Sequence, residues 1–234
     1  MGHFALVAAT LVVCVGVAMG ANCNAATNTC DILNLGCCDK NFRTALNFST
    51  SLCDGGSVFA DPECFRQHIE QLYIDGGIQG VITVCDSFNL FKDCLGDSIV
   101  SCLTADYYLQ NGYSREVAEQ TQTLYAHLQF ACGAGFESFI HNENCLPSTW
   151  DANRQHINQC RDQFIANGIN GHCYALTDFL DCVKLPFEQA CSIEATWWMC
   201  EYSRVTAHLF FPECRGSCLV NNLSTKKLSA LKQH

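Results

Sequence analysis

Charge is scarce in this chain. Asp, Glu, Lys and Arg make up 15% of it, against roughly 25% in ordinary domains. Cations are scarcer than anions, 13 to 23, for a formal net charge of −10. That balance argues against nucleic acid and anionic lipid surfaces as partners, since both repel an acidic body. Acid is in turn missing from the C-terminal end, where the charged side chains after Glu213 are Arg215, Lys226, Lys227 and Lys232. Residues 219–234 therefore read as a short, solvated, disordered basic tail. Alternating apolar and polar runs of strand length are absent, which argues against β-structure. Beyond the first twenty residues no apolar stretch approaches the roughly 20 residues that a membrane helix needs, so no membrane span is expected.

The common signatures of catalysis are missing as well. There is no HExxH pattern, no Gly-x-Ser-x-Gly elbow and no phosphate-cradling glycine loop. Cys-x-x-Cys redox spacing is absent, Cys214 and Cys218 being the nearest to it, and Cys37-Cys38 reads as two structural half-cystines. Cys37-Cys38-Asp39 and His172-Cys173-Tyr174 resemble fragments of secreted phospholipases A2. That chemistry needs a His followed by Asp and a glycine-rich calcium loop, whereas His172 is followed by Cys. The chain is therefore read as non-enzymatic, with no cofactor and no catalytic or metal-binding residues.

What is present in excess is cysteine, nineteen in all. Residues 1–20 read as a secretory signal peptide, with an uncharged apolar run from Phe4 to Ala18 and small residues at Ala18-Met19-Gly20. Its removal takes away Cys14 and leaves eighteen, an even number that suits up to nine disulfides in an oxidising compartment. The half-cystines are Cys23, Cys30, Cys37, Cys38, Cys53, Cys64, Cys85, Cys94, Cys102, Cys132, Cys145, Cys160, Cys173, Cys182, Cys191, Cys200, Cys214 and Cys218. Asn47-Phe48-Ser49 and Asn222-Leu223-Ser224 are acceptor sequons for N-glycosylation at Asn47 and Asn222. A secreted, extracellular glycoprotein is the expectation.

The chain also repeats itself. Arg66-Gln67-His68-Ile69-Glu70-Gln71 returns as Arg154-Gln155-His156-Ile157-Asn158-Gln159, and Cys85 and Cys94 return as Cys173 and Cys182, 88 positions on. Cys102 returns as Cys191, Cys132 as Cys214 and, more loosely, Cys53 as Cys145. Apolar residues fall at helical spacing through both copies. Asp61-Pro62 is a helix start, Gly76-Gly77 and Gly96 are breaks, and Ser114 is an N-cap for a longer helix. In the second copy Asp151 is read as a cap and Pro186 as a break. The expected fold is all-α and disulfide-rich: a cysteine-rich lead-in (21–52) holding one short helix near Asp39–Asn47, then two tandem copies of a roughly four-helix module (53–145 and 146–218).

Cys160 and Cys200 lack counterparts in the first copy, which has Leu72 and Leu109–Asn111 opposite them. Two cysteines gained together suggest a pair, so a Cys160–Cys200 bridge is predicted, contributing roughly 4 kcal/mol on chain-entropy arguments. His68 matches His156 and His127 matches His208. With no third ligand recurring beside them, these are read as half-buried helix residues carried along by duplication. Trp197-Trp198 and Phe210-Phe211 could line an apolar cavity, but their helical placement fits core packing, which is the reading preferred here.

Cys85-x8-Cys94, then Cys102-Leu103, Phe130-Ala131-Cys132, Gly135, Phe139-Ile140 and Cys145-Leu146 form a spaced pattern. This run of about sixty residues resembles the insect hemolymph glycoprotein family and the nematode secreted cysteine-rich domain of unknown function. The resemblance implies an extracellular helical protein of body fluids or secretions and transfers no catalytic residue. Two functions are carried forward. The first is binding of an extracellular protein or carriage of a small apolar ligand between the two copies. The second is a structural or storage role in a secretion or matrix.

Overall fold

A computed structural model of the protein describes residues 23, 28–49, 51–168 and 173–218. The expected leader, His172, Asn222 and the basic tail lie outside these residues. The helices are α1 (Ile32–Ala45), α2 (Pro62–Leu95), α3 (Ile99–Cys102), α4 (Ala105–Gln110), α5 (Arg115–Ala131), α6 (Phe136–His141), α7 (Leu146–Ala152), α8 (Arg154–Gly168), α9 (Cys173–Ala190) and α10 (Ile193–Phe210). No strand occurs among the described residues, so the fold is all-α.

Local chemistry sets most helix ends. Asp61 accepts a hydrogen bond from the Cys64 amide at 3.0 Å, with Pro62 at the first helical position. Ser114 accepts one from the Val117 amide at 3.2 Å. Gly77, at φ +52° and ψ −128°, kinks α2 into two segments, and Gly96 at φ +53° ends it. The lead-in helix is longer than expected. Asp31 caps α1 by accepting from the amides of Leu33 and Asn34, so helix begins at Ile32, seven residues before Asp39. Asn47 follows α1 in the left-handed region at φ +55° and is exposed.

Two sequence expectations fail at helix ends. Asp151 is not a cap; it lies inside α7, and its carboxylate pairs with Arg154 at 2.8 Å. Nor does Pro186 break a helix, because α9 runs through it to Ala190. A proline inside a helix leaves the carbonyl four residues back without its usual donor. That carbonyl belongs to Cys182, and the His156 Nε2 lies 3.1 Å from it, supplying the missing hydrogen bond from α8.

The eighteen described cysteines form nine bridges. The predicted Cys160–Cys200 bridge is not among them. Cys160 joins Cys182 across the packed pair α8 and α9, and Cys200 on α10 joins Cys218 in the segment that returns after that helix. Neither cysteine had a partner in the sequence matching of the two copies, but each meets a different neighbour, so shared occurrence did not mean pairing. Five bridges close residues 23–132: Cys23–Cys37, Cys30–Cys102, Cys38–Cys94, Cys53–Cys64 and Cys85–Cys132. Cys145–Cys191, Cys160–Cys182, Cys173–Cys214 and Cys200–Cys218 close residues 145–218. None of the nine crosses between the halves.

The halves are held together by packing. α5 lies along α10, and α7 along α2. Trp198 is fully buried at the centre, 4.9 Å from Tyr202, 5.8 Å from Trp150 and 5.3 Å from Phe139 between ring centroids. Its indole N–H donates to the Gly135 carbonyl at 2.8 Å, which satisfies the one polar atom it buries.

Candidate functional site

The first half of α2 and the middle of α8 bring their charges to the seam between the halves. Glu70, on α2, is buried and accepts from three directions. Arg66 Nη1 donates to Oε1 at 2.6 Å, one helical turn away. Arg161 of α8 donates through Nη2 to Oε1 at 2.7 Å and through Nη1 to Oε2 at 3.1 Å. The Tyr202 hydroxyl of α10 donates to Oε1 at 3.2 Å. Arg66 also holds Glu63, its Nε donating to Oε2 at 2.9 Å. A buried charge is tolerated when it is paired and hydrogen-bonded on all sides, and Glu70 meets that condition. Burial would push its carboxyl up, but Arg161 and Arg66 outweigh burial and hold it at about 2.

His127 of α5 closes the same seam. Its ring stacks flat on Tyr202, centroids 4.0 Å apart and planes 9° apart, and its Nε2 is hydrogen-bonded with the Thr206 hydroxyl. Burial pushes the imidazole down to about 3, with the Arg161 and Arg66 charges adding to the effect and Glu70 opposing it. The ring is therefore neutral at physiological pH.

Above this polar floor lies a cleft of about 690 Å³. Phe164 and Ile165 of α8, Phe179 of α9, and Phe210 and Phe211 from the end of α10 line its apolar side. Phe164 and Phe179 stack at 4.6 Å, and Phe211 meets Phe164 edge-on at 5.6 Å. Arg66, Arg161, Glu63, Thr123, His127 and Thr206 line the other side. The volume falls within the range of small-molecule sites, roughly 300–1,000 Å³, and so does the mixture of aromatic wall and a few converging polar groups.

The residues singled out in the sequence separate here. Phe210 and Phe211 line the cleft, whereas Trp198 is core and Trp197 is a half-buried neighbour of Phe130. The four paired histidines have four different settings. His127 is buried in the seam, His156 is half-buried and bonds Cys182, His68 is half-buried against the Phe48 ring, and His208 is exposed. Three clusters place cysteines near one another or near His68 or His156, but each cysteine in them is in a disulfide and has no thiolate to offer a metal. Sequence reasoning missed Glu70, Arg161 and Thr123. The available signal was an acid at Glu70 where the second copy has Asn158, inside the longest matching run.

No family model, no curated protein and no solved structure matches this chain. No helix among the described residues is long and apolar enough to cross a membrane.

Proposed function

We propose that the protein is a secreted, non-enzymatic carrier of a small apolar ligand, built from two tandem copies of a helical unit, with the ligand in the cleft where the copies meet. The observation that carries this reading is the cleft itself: five apolar side chains face a polar wall across about 690 Å³. The bridges support duplication in a frame that takes in the lead-in. Cys38–Cys94 answers to Cys160–Cys182, Cys30–Cys102 to Cys145–Cys191, and Cys85–Cys132 to Cys173–Cys214. α1, α2 and α5 then correspond to α8, α9 and α10. Nine disulfides support export, because such bridges persist in oxidising compartments. The exposure of Asn47 supports its use as a glycan acceptor.

The test is titration of the purified chain with N-phenyl-1-naphthylamine, an uncharged dye that brightens in apolar sites. Saturable uptake of one dye per chain is expected, and Phe210→Asp or Ile165→Asp should abolish it. Both side chains are partly exposed, at 36% and 66%, so the thermal midpoint should change little. A purely linear, non-saturating signal would remove the carrier reading.

A further inference from the structure

Thr123 and His127 stand one turn apart on α5, and both line the cleft. They are buried, at 6% and 4% exposure. Each keeps a polar atom that no group among the described residues meets, Oγ1 of Thr123 and Nδ1 of His127. This is unusual for a helical threonine. Thr83 and Thr121 donate to the carbonyls four residues back, at 2.8 and 2.7 Å. Thr123 makes no such bond. A buried polar atom left unmet loses its bonds to water and gains none in return. Two of them side by side, under the wall of one cleft, mark the place where a ligand's polar group would be received.

The surrounding charge limits what that group can be. Arg66 is already met by Glu63 and Glu70, and Arg161 by Glu70. Glu119 and Asp162 also line the cleft, Glu119 pairing with the exposed Arg115. Among the described residues at the cleft carboxylates thus outnumber guanidiniums, and an anionic head would gain no unshared cation from them. An ammonium would sit beside two guanidiniums. An uncharged head avoids both penalties. His127 Nδ1 is a donor in one tautomer and an acceptor in the other, depending on how Nε2 shares the hydrogen with Thr206. A hydroxyl both donates and accepts, so it complements either tautomer and the Thr123 hydroxyl as well.

We propose that the cleft binds an uncharged, lipid-like alcohol, its hydroxyl held between Thr123 and His127 and its hydrocarbon laid on Phe164, Phe179 and Phe211. This rests on the carrier reading of the same cleft. Its test is competition against bound N-phenyl-1-naphthylamine by 1-dodecanol and by dodecanoate, which share chain length and differ in the head. Dodecanol is expected to displace the dye at concentrations about tenfold lower than dodecanoate. Thr123→Val keeps the side chain's shape and deletes a hydroxyl that bonds nothing, so its thermal midpoint should be equal or higher. It should also erase most of dodecanol's advantage, and His127→Phe, which can still stack on Tyr202, should do the same. Equal or tighter binding of dodecanoate, or an undiminished alcohol preference in Thr123→Val, overturns the hydroxyl site while leaving the carrier standing. Absence of dye uptake overturns both.

Discussion

Glu70 and His127 sit within one seam and carry opposite protonation logic. The carboxyl of Glu70 is held at about 2 in the folded chain against an ordinary 4.5, so its stabilisation is complete above 4.5 and is lost as pH falls toward 2. His127 is held at about 3 against an ordinary 6.5. Its unfolded form takes up a proton below 6.5 and its folded form does not, so stability also falls as pH drops from 6.5 toward 3. Between pH 6.5 and 4.5 His127 acts without Glu70. Urea unfolding is expected to show a loss on the order of 1 kcal/mol per pH unit across that window, and His127→Phe should flatten it. An equally steep slope in the variant would count against a neutral, buried ring. None of this was legible in the sequence, where His127 and His208 look alike. What separates them is Tyr202 and Thr206, brought over His127 by a helix some 75 residues away.

Caps and breaks belong to the chemistry of neighbouring residues, and those were legible. Asp61-Pro62, Ser114, Gly77 and Gly96 act where their residue types say they should. Pro186 was misread because its consequence is settled by another helix. The carbonyl that proline strands on Cys182 is taken by His156 of α8, at the same point where Cys160–Cys182 ties α8 to α9. His156→Phe is expected to lower stability by about 1–2 kcal/mol in urea unfolding. Most of that loss should vanish in a Pro186→Ala background, where the amide at position 186 can bond the carbonyl itself. A double-mutant cycle with no coupling between the two positions would show that His156 does not replace the missing amide.

At the scale of the molecule, two disulfide-closed halves are joined by packing around Trp198 and by the hydrogen bonds to Glu70. A chain cut once within residues 133–144 is therefore expected to stay together in native buffer. In denaturant without reductant it should fall into two fragments, read by mass spectrometry. Fragments that part only after reduction would mean that a bridge crosses the seam. Peptide mapping of the same digest should recover Cys160 with Cys182 and Cys200 with Cys218.

Helical class, the principal caps and an even set of pairable cysteines followed from the sequence alone, because each depends on residue type and near neighbours. The partners of Cys160 and Cys200, the buried charge of Glu70, the neutral ring of His127 and the cleft of Phe164, Phe179 and Phe211 were decided by tertiary structure. Each depends on which helices meet, and the periodicity of a chain says which face of a helix turns inward without saying what it will find there.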